Sequence, residues 1–149
     1  MIRKFLVLGA LLVCGCGSKN GFAAFVVNQD AQSAGSKPGK SYNAEPCSFE
    51  IEKSVFFVVR SGTAGQPSSL NLKVMFPRGT VNPNDFLGKT LEGSHGLVQL
   101  ENKEYELEKI TVTVQTLQGD VARGNFNARI KGQAPPWEVV GSFDAKVKS

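Results

Sequence analysis

The segment ITVTVQ, residues 110–115, alternates β-branched apolar side chains with polar ones. Side chains of a strand point alternately to its two faces, so this pattern buries one face and leaves the other in water. Gln118, Gly119 and Asp120 follow shortly afterwards, and a glycine between polar residues is typical of a turn. The stretch therefore predicts a half-buried strand that turns back into another strand.

The end of the chain contains a short internal repeat, GNFNARI at 124–130 and GSFDAKV at 141–147. In both copies the glycine, phenylalanine, alanine and aliphatic residue share one face, and the polar or basic residues share the other. Residues 131–137 join the copies, so the repeat predicts a closing β-hairpin. The glycines on the inner face predict bends or a close approach of the backbone.

Two earlier segments also have the patterns of strands. Residues 49–59 begin with apolar and acidic residues in alternation and end in an apolar run, which predicts one strand that becomes covered on both faces. Residues 70–76 have an apolar side chain at every second position, which predicts a strand with one buried face.

Turn-forming residues dominate the connection 77–96, where we expect a short strand near 86–91. Residues 97–107 predict a hairpin that turns at Asn102. No segment has convincing helical periodicity. We therefore expect an all-β fold, a single antiparallel β-sandwich or barrel of about seven to nine strands over residues 47–149.

The N-terminus has the organisation of an export signal. Arg3 and Lys4 precede an apolar run from Phe5 to Val13. This run is much shorter than the about 20 residues that a membrane-spanning helix needs, so residues 1–15 predict a signal peptide that is removed.

The end of this signal, Val13-Cys14-Gly15-Cys16, resembles the lipobox of bacterial lipoproteins. Val13 takes the aliphatic position, Gly15 the position before cleavage and Cys16 the modified position, while Cys14 departs from the usual small residues. The resemblance implies a diacylglyceryl thioether on Cys16 and an acyl chain such as palmitate on its new amino group. Several acyl chains make a lasting membrane anchor. The alternative is an ordinary secretory signal with incidental cysteines.

The same resemblance implies a place in the cell envelope. Gly17, rather than aspartate, follows Cys16, which implies the outer membrane, facing the periplasm or the cell surface. Removal of the signal peptide reduces the formal charge from +4 to +2, which does not call for a nucleic-acid partner. We expect the membrane, through the lipid, and an envelope protein as partners.

Residues 16–46 are rich in glycine, serine, asparagine, lysine and alanine, a composition that predicts a flexible tether behind the lipidated cysteine. Within it, residues 22–27 are apolar and β-branched. They are interpreted either as an early strand of the domain or as a segment at the lipid interface.

Residues that could carry chemistry are few. Cys47 is the sole cysteine of the mature chain besides Cys16, and is interpreted as a buried apolar side chain rather than a nucleophile. His95, the sole histidine, lies in the segment GSHG without the ligand spacing of a metal site or a nucleophile motif. The glutamates of the following hairpin predict a solvated strand face, and the members are Glu101, Glu104, Glu106 and Glu108. We expect no catalytic residue, metal or cofactor.

The closing hairpin supplies the candidate partner-binding residues. Its outer face is basic, and Trp137 follows a double proline in the loop that joins the two strands. The tryptophan is interpreted either as an anchor for a partner or as a cap on the open end of the fold. The basic side chains are interpreted either as contacts to an anionic surface or as protection of an edge strand. They are Arg123, Arg129, Lys131, Lys146 and Lys148.

Three hypotheses about function remain open. The favoured hypothesis is a non-enzymatic, membrane-anchored envelope lipoprotein whose β domain binds or holds a partner. A small-ligand carrier would require an unfilled apolar interior. A hydrolase would require His95 and at least one nearby carboxylate to meet in a cleft.

Overall fold

The computed structural model describes residues 20–29, 39–52, 56–62, 67–75 and 85–148. These residues form ten β-strands in one sheet. The strands are β1 (Phe22–Asn28), β2 (Lys40–Ala44), β3 (Cys47–Glu52), β4 (Phe56–Ser61), β5 (Ser68–Met75), β6 (Thr90–Gly93), β7 (His95–Leu100), β8 (Lys103–Gln118), β9 (Val121–Ile130) and β10 (Trp137–Lys148).

Strand pairing curls the sheet into a barrel-like ring. From β10, the path of paired neighbours runs through β3, β4, β5, β7, β8 and β9 and returns to β10. These pairs are antiparallel except β10 with β3, which is parallel. Eight of the ten described strands lie within residues 47–149. The predicted all-β fold of about seven to nine strands is therefore confirmed.

The longest strands each have two successive neighbours along one edge. β10 pairs with β1 along Glu138–Asp144 and then with β3 along Lys146–Lys148. β8 pairs with β7 along Lys103–Leu107 and then with β6 along Ile110–Thr113. These divided edges allow ten short and long strands to share one curled sheet.

The turn between β7 and β8 follows the sequence prediction. Glu101 and Asn102 both have positive φ angles, 51° and 67°. Two successive positive φ angles define the type I′ turn, which matches the twist of a two-residue hairpin, and asparagine tolerates this conformation well. The turn fixes the register that places Leu97 opposite Glu106.

The repeated segments at the end of the chain form the predicted hairpin. In it, the glycine of each copy lies opposite the phenylalanine of the other copy. Gly124 lies opposite Phe143, and Gly141 lies opposite Phe126. A Cβ atom on either glycine would approach the opposite phenylalanine ring to 2.8 Å. The predicted close approach is therefore confirmed, since each glycine leaves the space that the other copy's ring occupies.

The residue opposite Gly141 on its other side is Phe25 of β1. The rings of Phe25 and Phe126 consequently meet over this glycine, with centroids 6.3 Å apart. Further inside, Phe49 lies 6.4 Å from Phe143 and 6.3 Å from Phe86 between ring centroids. Aromatic side chains therefore fill much of the interior that the described strands enclose.

The sheet begins earlier in the sequence than residue 47. β1 and β2 pair with each other, and β1 pairs with β10 along its whole length. Both strands lie in the range 16–46, which the composition assigns to a tether. Apolar residues at alternate positions of β1 are buried, whereas β2 is mostly polar and owes its place to pairing with β1. Residues 1–19, with Cys16, lie outside the described residues.

Two other segments differ from the sequence predictions. Residues 49–59 were expected to form one strand, but they belong to β3 and β4, which pair antiparallel with Ile51 opposite Phe57. The short strand expected near 86–91 lies slightly later, at Thr90–Gly93.

Candidate functional site

A cleft of about 650 Å³ crosses the outer face of the sheet over β5, β7 and β8. Asn71 and Lys73 of β5 line it, on the face opposite the buried Leu70 and Leu72. Period-two alternation thus places these polar side chains outside while their neighbours fill the core. Its lining also includes Ser94, His95, Leu97, Glu106, Glu108 and Lys131.

Strand register arranges the cleft residues in two rows across the strands. In one row, Asn71 lies opposite Leu97, and Leu97 lies opposite Glu106. Lys131 follows the end of β9 beside this row, where its backbone N–H donates to the Glu106 carbonyl oxygen at 2.9 Å. In the other row, Lys73 lies opposite His95. Glu108 lies opposite Arg129 of β9, two positions further along β8 than Glu106.

Opposite charges line the cleft, and some of them are unpaired. Lys131 Nζ lies 3.1 Å from Glu106 Oε2 in an exposed ion pair. Within the part of the chain that the structure describes, Lys73 and Glu108 have no ion-pair partner. Because the two lysines balance the two glutamates, the cleft has no net formal charge while His95 is neutral.

The Oδ1 atom of Asn71 is buried and receives no hydrogen bond from the described residues. A buried acceptor without a donor costs about 1–3 kcal/mol, so such atoms are rare in folded proteins. Leu97 is the residue directly opposite Asn71, and its side chain is 39% exposed. An unsatisfied acceptor and an exposed leucine therefore lie side by side in the cleft.

His95 and two carboxylates line the same cleft, which is the arrangement that a hydrolase would require. The imidazole Nδ1 lies 2.8 Å from Ser94 Oγ in an exposed contact between adjacent residues. The carboxylates are Glu106 and Glu108. Both Ser94 and His95 are exposed to solvent, whereas an activated serine usually depends on a buried, oriented base.

The predicted solvated glutamate face is present on β8. Glu104 and Glu106 are exposed, and Glu108 is half-buried on the same side of the strand. Glu101 lies in the turn before β8 and forms an ion pair with Lys40. The described residues contain no group of three histidine, cysteine or acidic side chains that could hold a metal ion.

The basic side chains of the closing hairpin each have an acidic neighbour. Arg123 Nε donates to Asp144 Oδ2 at 2.7 Å, directly across the hairpin. The other pairs are Arg129 with Glu138 at 3.7 Å, Lys146 with Asp120 at 3.4 Å and Lys148 with Glu50 at 3.6 Å. These pairs reduce the positive potential of the outer face, and its role in partner binding stays a prediction.

Trp137 begins β10 and packs against the core at one end of the sheet. Its ring lies 5.8 Å from that of Tyr105 between centroids, and Lys103 Nζ lies 5.2 Å from the Tyr105 centroid. Tyr42 stacks on Phe25 nearby, with centroids 5.5 Å apart. These contacting rings form an aromatic end of the fold, and the use of Trp137 as a cap or as a partner anchor stays a prediction.

The pKa of Tyr42 is raised above its ordinary value. Partial burial is the larger cause, because it disfavours the charged phenolate. The negative charge that Tyr105 acquires on ionisation adds to the rise. The aromatic end thus keeps Tyr42 in its neutral form to higher pH than an exposed tyrosine.

No protein-family model, curated protein or solved structure matches this chain. Among the described residues, no helix is long and apolar enough to cross a membrane.

Cys47 is buried at the start of β3, and its backbone N–H donates to the Asn20 carbonyl oxygen at 3.0 Å. This environment agrees with the interpretation of Cys47 as an apolar side chain at a strand end. Cys16, the candidate lipidation site, lies outside the described residues.

Sequence reasoning singled out His95 and the glutamates but missed Asn71, Lys73 and Leu97 as members of one site. Asn71 and Lys73 occupy ordinary outward positions of an alternating strand, and Leu97 reads as a core residue. Their sequence positions are far from Glu108, and the strand register alone brings them together.

Proposed function

We propose that this chain is a non-enzymatic, lipid-anchored protein of the bacterial cell envelope. The support is the lipobox-like segment that ends in Cys16, with its positive residues and short apolar run. The lipid would hold the protein at the outer membrane, facing the periplasm or the cell surface. The β domain would then act on partners in that compartment.

We further propose that the domain binds a partner through the outer cleft over β5, β7 and β8. The observation that carries this proposal is a combination of groups in the cleft: exposed Leu97, and an Asn71 acceptor and charges on Lys73 and Glu108 that have no partner among the described residues. Each of these groups gains an interaction when a complementary surface covers it.

The interior offers less support for a small-ligand carrier. Five phenylalanine rings, from four strands and the segment before β6, form three contacting pairs. Their ring centroids are 6.3–6.4 Å apart. A carrier needs open apolar space where these rings lie. The cleft on the outer face is therefore the better candidate for binding.

Site-specific photocrosslinking in the native host tests the binding proposal. A benzoylphenylalanine replaces either Leu97 in the cleft or Val140 on the outer face of β10, both 39% exposed. The proposal expects a discrete covalent adduct from position 97 and none of that size from position 140. Equal adducts from both positions, or none from position 97 in folded protein, would overturn it.

A hydrolase is the second candidate, favoured by the contact between Ser94 and His95 beside two carboxylates. A fluorophosphonate probe reacts with activated serines, so a hydrolase would incorporate it at Ser94 and lose it in His95→Ala. The binding proposal expects no such labelling in the wild-type chain. Stoichiometric labelling that depends on His95 would replace the non-enzymatic proposal.

A further inference from the structure

We infer that the outer cleft takes an extended peptide segment that carries one basic and one acidic group. The inference depends on the proposed binding function and adds the chemical class of the ligand. Lys73 and Glu108, which have no ion-pair partner among the described residues, belong to different strands of the same face.

A ligand that covers Lys73 and Glu108 removes water from two charged groups, which costs free energy. Lys73 is exposed and Glu108 is half-buried, so both are stabilised by water in the free protein. A ligand that fills the cleft removes this water, which is unfavourable unless the ligand supplies opposite charges. An anionic group is therefore needed near Lys73 and a cationic group near Glu108.

The distance between Lys73 and Glu108 determines how far apart the two charges of the ligand must be. β5 and β8 are separated by β7, and two intervals between neighbouring strands correspond to about 10 Å. Consecutive residues of an extended peptide advance about 3.4 Å, so side chains two to four residues apart span this distance. Glutamate or aspartate and lysine or arginine at that separation match the cleft.

The backbone of a peptide ligand offers hydrogen-bond donors to the Asn71 side chain. The Asn71 amide lines the cleft, and its Oδ1 atom has no donor among the described residues. The terminal torsion of asparagine is broad, so the oxygen can turn toward a ligand. A peptide presents an N–H at each residue other than proline, which supplies the missing donor.

Leu97 provides an apolar contact surface in the cleft. Leu97 lies between Asn71 and Glu106 in one row, and its side chain is exposed. An apolar side chain of the peptide gains contact with Leu97, while the peptide's charged side chains reach Lys73 and Glu108 beside this row. A neutral glycan offers donors to Asn71 but leaves Lys73 and Glu108 without opposite charges.

A displayed library of random dodecapeptides tests the inference against the full chain held in detergent micelles. Three proteins are compared: the wild type, the cleft variant Lys73→Gln/Glu108→Gln and the control Lys89→Gln/Glu92→Gln. Both variants keep the net charge, and the control residues are exposed near or within β6, outside the cleft. Equal thermal unfolding of the three proteins excludes a folding defect as the cause of any difference.

We expect the wild type to enrich peptides with a basic and an acidic residue two to four positions apart. These peptides should bind the cleft variant at least tenfold more weakly and the control equally well. Failure to enrich peptides, or enrichment of peptides that bind all three proteins alike, would overturn the inference. Binding of a neutral glycan array that is lost in Asn71→Ala would also overturn the peptide class.

The two levels of proposal fail in different ways. If Leu97 yields an adduct in cells while no charged peptide is enriched, the cleft remains a binding surface and the peptide class is wrong. If Leu97 yields no adduct, the proposed binding function of the cleft is wrong, whereas the lipid anchor is tested separately.

Discussion

At the scale of single residues, the exchange of glycine and phenylalanine across the closing hairpin explains the internal repeat. Gly141 lies between Phe25 and Phe126 on the neighbouring strands, and Gly124 lies opposite Phe143. Large rings can pack over a strand where that strand carries no side chain on the same face. The repeat therefore encodes a packing relation between two strands.

Alanine at Gly141 should destabilise the fold. Its Cβ would meet the Ala24 carbonyl oxygen and would approach the Phe126 ring to 2.8 Å. Since a backbone atom cannot move aside easily, we expect a loss of about 1–3 kcal/mol in the free energy of unfolding. The control is Ser142→Ala at the adjacent exposed position, which should change it by less than about 0.5 kcal/mol. Urea unfolding measures both, and equal stability of the two variants would contradict this packing.

The alkaline titration of Tyr42 tests the environment of the aromatic end. In Tyr105→Phe, Tyr42 is the sole tyrosine, so tyrosinate absorbance reports its ionisation alone. Burial is the larger cause of its raised pKa, so the midpoint should stay above the ordinary tyrosine value of about 10 without Tyr105. A midpoint at or below that value would show that Tyr42 is fully solvated.

The sign of the resulting stability effect follows from linkage. A raised pKa in the folded state means that folding favours the neutral phenol of Tyr42. This contribution is complete below the pKa of unfolded tyrosine and is lost as the pH rises through the folded pKa. Tyr42→Phe should therefore unfold with less dependence on pH in this alkaline range.

At the scale of strands, β1 and β2 extend the sheet beyond the domain boundary that composition suggests. β1 buries Ala23, Phe25 and Val27 against the core and pairs with β10 over seven positions. Its contribution to the interior is comparable with that of strands later in the chain. Strands β1 and β2 therefore belong to the folded unit.

A fragment that begins at residue 47 should fail to unfold cooperatively. Loss of Phe25 alone removes about 3–5 kcal/mol, against a total stability of about 5–15 kcal/mol for a typical domain. The matched fragment begins at Asn20, whose carbonyl oxygen accepts the Cys47 N–H, and should keep a single transition. Circular dichroism during heating distinguishes them, and an intact cooperative transition in the shorter fragment would show that β1 is dispensable.

Strands with strong alternation could be predicted from the sequence, and strands placed by pairing could not. β5 and the closing hairpin have one apolar and one polar face, and their positions agree with the predictions. Segments 103–107 and 110–115 were expected to be separate strands, but both belong to β8. β2 has one buried residue, Ala44, so its sequence carries little signal. The reversal between β3 and β4 was missed because the alternating residues 49–52 are followed closely by the apolar run 55–59, a pattern that one continuous strand also produces.

The cleft was predictable only in part for a related reason. Each strand contributes one or two ordinary outward residues, such as Asn71 and Glu106, and none forms a motif. Their proximity depends on the order β5, β7, β8 and on the register that the Glu101–Asn102 turn fixes. Sequence spacing carries no information about such a juxtaposition.

At the scale of the whole molecule, the described residues combine a packed interior, a largely ion-paired closing hairpin and a cleft whose Lys73 and Glu108 lack ion-pair partners among them. The paired charges of the hairpin contribute little stability individually, because exposed ion pairs are worth about 0–1 kcal/mol. They do reduce the attraction of this face for anionic partners. The unpaired cleft groups make that region the better surface for a specific partner, and the lipid on Cys16 would decide which partners it meets.

Intact mass and membrane fractionation of the full chain expressed in a bacterial host test the anchor most directly. The account expects a mature chain that starts at Cys16, carries the added mass of acyl chains and sediments with membranes. Cys16→Ser should lose both the mass and the membrane association, whereas Cys14→Ser should keep them because residue 14 leaves with the signal peptide. A soluble, unmodified product cleaved at another site would contradict the central claim.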